Sequence, residues 1–140
     1  MTRFENELGG RVVVMGITLD HNRSQSLFNY RRQRLIQEQI KWCNDKFVMV
    51  KDEPNLYLIE NEALNPNKSG FSGMFTLINL GEDSISHAVL HFPPKWQSKA
   101  SLMMLNKNAE WQKLNFEKTD DGIIIHEKLN YLEPFYILIK

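Results

Sequence analysis

The 140-residue chain has one cysteine, five prolines, seven glycines and no excess of charge of either sign. Each shortage excludes something. A lone thiol, Cys43, cannot close an internal disulfide, so the fold must rest on its core, and the cysteine count assigns no compartment. Seventeen basic residues balance seventeen acidic ones, which leaves no net field to gather a polyanion. Basic arms and aromatic RNA-binding signatures are absent too, and nucleic acid is not an expected partner. No apolar run approaches the ~20 residues of a membrane span, so no membrane is expected either. The opening MTRFENELGG lacks the apolar segment of a signal peptide, and an exported protein would need its signal upstream. P-loop, nucleophile-elbow and dinucleotide fingerprints are missing, and no cofactor is expected.

What is present is enough for a folded domain. Hydrophobic residues make up 42% of the chain and charged residues 24%, a balance that argues for a packed core over disorder. In GGRVVVMGITLD, residues 9 to 20, the run from Arg11 to Gly16 carries apolar side chains at successive steps from Val12 to Met15. That is the pattern of a strand covered on both faces, as in a parallel α/β sheet, and predicts a strand over 11–19. SQSLFNYRRQRLIQEQIKWCN then predicts an amphipathic helix. Its stripe is Leu27, Phe28, Leu35, Ile36, Ile40 and Cys43, with Ser24 or Ser26 as cap and Asn44-Asp45 as stop. Arg31, Arg32 and Arg34 read as a solvated face, with an anion site as the alternative.

From residue 46 the periodicity changes. FVMVKD, NLYLIENEA, FSGMFTLINL, ISHAVLHF, ASLMMLN, WQKLNFEK, GIIIHEKL and EPFYILIK are short strands at regular spacing with turn signals between them. FSGMFTLINL is apolar on both faces near its middle. WQKLNFEK is expected to pair with GIIIHEKL across an Asp-Gly turn. The fold class expected is therefore mainly β: an antiparallel, Greek-key-like sandwich of seven or eight strands, preceded by one strand and one amphipathic helix. Residues 1–45 read as the remnant of an α/β domain and 46–140 as the sandwich. One strand has no sheet of its own, so the chain is expected to be the C-terminal part of a larger protein; alternatively, the first strand joins the sandwich edge and the helix crosses a face.

Candidate chemistry is sparse. His87 and His91 lie four apart on a strand, a span of roughly 13 Å that two ligands of one metal cannot bridge. They are expected at the surface, and His21 and His126 stand alone. No metal site is expected. None of Glu53, Glu60, Glu62, Glu110, Glu117, Glu127 and Glu133 stands in an acid or nucleophile context, and no nucleophile–base arrangement appears, so no catalytic residue is assigned. Trp42, Trp96, Trp111, Tyr57, Tyr131, Phe135 and Tyr136 could offer rings to stack on a sugar. Of these, Trp96 and Trp111 fall near turns and are the candidate glycan-stacking residues. The favoured reading is that they plug the ends of the sandwich, and Trp42 reads as an interdomain packing residue.

The order of motifs LGGRVVVMG, QIKWCN, FTLINLGEDSISHAVLHFP, LNKNAEW and GIIIHEKLNYLEPFYILI resembles the C-terminal region of bacterial β-galactosidase-like glycoside hydrolases. NLGEDSI is similar to their asparagine-leucine-small-residue turn. LNKNAEW is similar to a leucine-asparagine-x-x-glycine-x-tryptophan hairpin, with Ala109 in the glycine position. The resemblance implies a barrel, an amidotransferase-like α/β domain and a terminal β-sandwich, with the catalytic acids in the absent barrel. It implies a non-catalytic accessory module whose partners are the upstream domains of the parent or a second subunit, bound through the N-terminal strand and helix. A periplasmic or secreted parent stays open, and so does a carbohydrate-binding module using Trp96 or Trp111. The packing reading predicts an exposed apolar patch on residues 11–19 and the helix stripe.

Overall fold

A computed structural model describes residues 1–16, 30–97, 101–120 and 122–140. Parts of the expected first strand and helix, with Ser24, Ser26, Leu27, Phe28 and His21, lie outside the described residues. In chain order the elements are β1 (Thr2–Glu5), β2 (Arg11–Val14), α1 (Tyr30–Cys43), β3 (Met49–Lys51), β4 (Leu56–Glu62), α2 (Pro66–Ser69) and β5 (Gly73–Asn79). Then come β6 (Ala88–His91), α3 (Pro94–Gln97), β7 (Leu102–Leu105), β8 (Trp111–Lys113), β9 (Phe116–Thr119), β10 (Gly122–Ile125) and β11 (Pro134–Ile139). The chain is mainly β and its sheets are antiparallel, as the strand spacing predicts.

Two sheets enclose the core. One has the order β3-β6-β10-β9 and the other β4-β5-β11-β7-β8. Successive side chains of a strand point to opposite faces, so register decides which residues meet inside. Leu90 pairs with Val50 and Ile123, and Ala88 with Ile125, on the inner face of the four-stranded sheet. Facing them, Phe75 pairs with Ile137, and Leu77 with Leu58 and Phe135. Phe75, Leu77, Ala88, Ile125 and Ile137 are fully shielded from solvent. Burial of each large side chain contributes roughly 1.5–3 kcal/mol.

WQKLNFEK is split. β8 pairs with β7, whereas β9 pairs with β10 in the other sheet, and buried Leu114 marks the crossing. Turn chemistry explains two hairpins. Asn6 Oδ1 accepts from Leu8 N (3.1 Å) and Gly10 N (2.6 Å), with Gly9 at φ 80°. A hundred residues on, Asn106 Oδ1 accepts from Asn108 N and Glu110 N, both at 2.9 Å, with Ala109 at φ 61°. These are the same turn, and the second carries a β-carbon where the left-handed backbone favours glycine. At Gly122 the visible need for glycine is steric, since a β-carbon would run into the Leu90 carbonyl.

The N-terminal run does not form a doubly covered parallel strand. β2 pairs antiparallel with β1, placing Phe4 opposite Val12 and Thr2 opposite Val14, and this two-stranded sheet joins neither of the others. Phe4, Val12 and Val14 are 62%, 53% and 63% exposed. From the hairpin's other face the Arg3 and Arg11 guanidiniums lie 5.3 and 5.4 Å from the Trp42 ring of α1. Arg11 Nη1 also donates to Trp42 O (2.9 Å), and Arg3 Nε to Gln39 Oε1 (2.7 Å). Helix and hairpin thus meet at Gln39 and Trp42, which rotates the expected stripe. Gln39 is buried and Ile36 and Cys43 half-buried, while Leu35 and Ile40 face solvent. Arg31, Arg32 and Arg34 are exposed, in keeping with a solvated face.

Candidate functional site

The two candidate tryptophans occupy unlike surroundings. Trp96 sits on α3, directly after Phe92-Pro93, and is 2% exposed. Its ring meets Phe92 edge-on, with centroids 6.4 Å apart, and Phe92 meets Phe75 likewise at 5.6 Å. A β-carbon at Gly73 would lie 2.9 Å from Trp96 Cζ2, so the indole lies directly on the backbone of β5. Lys95 Nζ stands 4.6 Å from the ring centroid while holding Glu62 at 3.0 Å. Of the two readings of Trp96, the end plug agrees with this burial and the exposed stacking ring does not. Two prolines end β6 and turn the chain inward, and the ring plugs one end of the core.

Trp111 opens β8 and is 41% exposed. It pairs with Leu105, on the side of the five-stranded sheet away from the core. The structure thus does not bring the two tryptophans together.

Register defines that outer face. β4 places Tyr57 and Ile59 on it, and β5 places Met74, Thr76 and Ile78. β11 adds Tyr136 and Leu138, and β7 adds Met103 and Leu105. Tyr57 and Ile59 are 56% and 40% exposed. Leu138 is only 8% exposed although it does not belong to the core between the sheets, so neighbours on the outer face bury it. Two aromatic residues named at the sequence level, Tyr57 and Tyr136, thus share a face with Trp111.

The other sheet has a different exterior. Gln37 Nε2 of α1 donates to Val50 O (2.6 Å), which fixes the helix along β3. Arg34, Glu38 and Lys41 wall a groove of about 500 Å³ floored by Met49, Val89 and His91. His91 is 1% exposed, contrary to the expected surface position, and its Nε2 lies 2.6 Å from Asp45 Oδ1. The alternation Ala88-Leu90-Phe92 correctly turns His91 away from the core. What it does not reveal is that the segment after α1 covers that outer position. The nearest cross-strand residues on this face are Met49 and Gly122, neither of which is a nucleophile. The pair therefore fastens the segment after α1 to β6. His87 is exposed, and no metal-competent cluster of His, Cys, Asp or Glu occurs among the described residues.

Comparison with family models, curated proteins and solved structures finds no match to this chain. Its function must be argued from its own surfaces.

One buried polar residue organises the end of the sandwich. Asn79, 1% exposed, donates from Nδ2 to Asp83 O (2.7 Å) and Leu129 O (3.1 Å) and accepts from Gly81 N (2.9 Å). A single amide side chain therefore closes the β5–β6 turn and ties it to the segment before β11. This is the physical content of the NLG motif.

Proposed function

We propose that the chain is a non-catalytic accessory module of a larger carbohydrate-active enzyme, a Greek-key-like sandwich that packs against a neighbouring domain or subunit. The observation that carries this reading is apolar surface on two sides of the molecule. Phe4, Val12 and Val14 line the outward face of the hairpin, and the exterior of the five-stranded sheet is apolar from Tyr57 to Trp111. Soluble monomers rarely expose contiguous patches of more than a few hundred Å², and larger ones mark interaction surfaces. Leu35 and Ile40 of α1 add exposed apolar area near the N-terminal piece. The link to β-galactosidase-like hydrolases rests on the sequence resemblance. Two of its motifs have structural work here, the Asn79 clamp and the Asn106 turn. The partners in this reading are the upstream domains of the parent chain.

A second reading, carbohydrate binding, is favoured by the exposed Trp111 ring on a sheet face that also carries Tyr57 and Tyr136. Affinity electrophoresis on a panel of polysaccharides, wild type beside Trp111→Ala, separates the two. The packing reading expects equal mobility on every gel. Retardation abolished by Trp111→Ala would replace it with glycan binding.

A further inference from the structure

We propose that the outer face of the five-stranded sheet is a self-association surface, occupied by the same face of a second copy of this chain. The proposal rests on the packing reading and names its occupant.

Three observations point to a second copy. The first is charge. Of the residues these strands place on the face, Lys113 at one corner is the only charged one, so two such faces can meet without burying unpaired ions. The whole chain has zero formal net charge, so copies approach without the mutual repulsion that keeps charged proteins apart.

The second is shape. β11 is the middle strand of five, with two strands on each side. A twofold axis running along β11 carries the β4 margin of one copy onto the β8 margin of the other. Tyr57 and Ile59 of each copy then meet Trp111 of its mate, and the pairing occurs twice. The exposed large side chains stand on these two margins, while Thr76 and Leu138 between them are already shielded. The area open to a mate therefore lies on the two margins that this axis brings together.

The third is size. Strands of 7, 7, 6, 4 and 3 residues, at ~3.3 Å rise and ~4.8 Å spacing, give a flat footprint of roughly 400 Å² per copy. A pair hides about twice that before side-chain relief is counted, short of the ~1,200 Å² where stable interfaces begin and in the range of weak, transient ones. The dimer is accordingly reversible, populated at high micromolar concentration and dispersed on dilution.

Sedimentation velocity over a concentration series tests this, on wild type, Ile59→Lys, Trp111→Glu and Val14→Lys. The first two substitutions alter exposed positions on the face and the third an exposed position on the hairpin, with thermal melts verifying that each folds. The expected result is a monomer–dimer equilibrium weakened about tenfold or more by Ile59→Lys and by Trp111→Glu, and unchanged by Val14→Lys. A monomer at every concentration overturns the dimer and leaves the packing reading intact. A dimer broken by Val14→Lys alone also overturns it, moving the interface to the hairpin. A monomer retarded by a polysaccharide through Trp111 overturns both readings.

Discussion

The two outer faces of the sandwich are made by the same alternation, yet they differ in what the chain supplies to cover them. On the four-stranded sheet α1 runs beside β3, its charged side walls a groove, and Asp45 reaches His91 on the outward face of β6. That exterior mixes Lys51, His91 and Thr119 with Met49 and Val89, as a surface partly finished by its own chain should. Among the described residues no helix is fixed along the outer face of the five-stranded sheet, and that exterior is nevertheless the more apolar of the two. The contrast teaches that apolar patterning records a demand for cover and does not say who meets it.

The predictions press on that contrast, in order of size. The inner and outer sides of the five-stranded sheet each carry a tryptophan. Trp96→Ala, which empties the core plug, is expected to cost about 3–5 kcal/mol in urea denaturation, and Trp111→Ala under about 1 kcal/mol. Equal costs would mean that Trp111 is covered after all. Asn79→Ala strips a buried amide of three hydrogen bonds and leaves backbone groups without partners, for about 2–3 kcal/mol by the same measurement. His91→Ala on the covered exterior should cost about 2 kcal/mol, through lost packing and the lost Asp45 bond. Ile59→Lys on the open exterior should cost less than about 0.5 kcal/mol in dilute protein.

The smallest effect runs in the stabilising direction and compares the two hairpins. Ala109→Gly relieves a left-handed alanine and should raise stability by about 1 kcal/mol, whereas Gly9→Ala, at φ 80°, should lower it by a similar amount. Melts of both variants beside wild type would check this, and opposite signs are the expected outcome.

The mainly β class, the change of character near residue 46 and most sandwich strands are legible in the sequence, because turn residues and alternation are local signals. FSGMFTLINL also reads correctly as apolar on both faces, and β5 does sit between the core and the apolar exterior. The same kind of run at Arg11–Gly16 misleads. Periodicity cannot distinguish a strand buried in a parallel sheet from a hairpin strand whose apolar face is open. The helix stripe fails for a related reason. Which side of α1 is buried depends on Trp42 receiving two arginines from a hairpin some thirty residues away. His91 lies beyond local reading as well, since the segment after α1 covers it, whereas the end-plug reading agrees with the burial of Trp96 and not with the exposure of Trp111. Tyr57 and Tyr136 are visible as aromatics in the sequence, but sheet order alone places them on the face of Trp111.

The central claim is that the five-stranded exterior is an open apolar surface made for a protein partner. Titration of dilute protein with a fluorescent hydrophobic dye tests it most directly, on wild type beside an Ile59→Lys, Trp111→Glu double variant. The account predicts dye binding by folded wild type that falls by roughly half or more in the double variant, with its melt unchanged. Dye binding that is absent from the wild type, or indifferent to both substitutions, would contradict it.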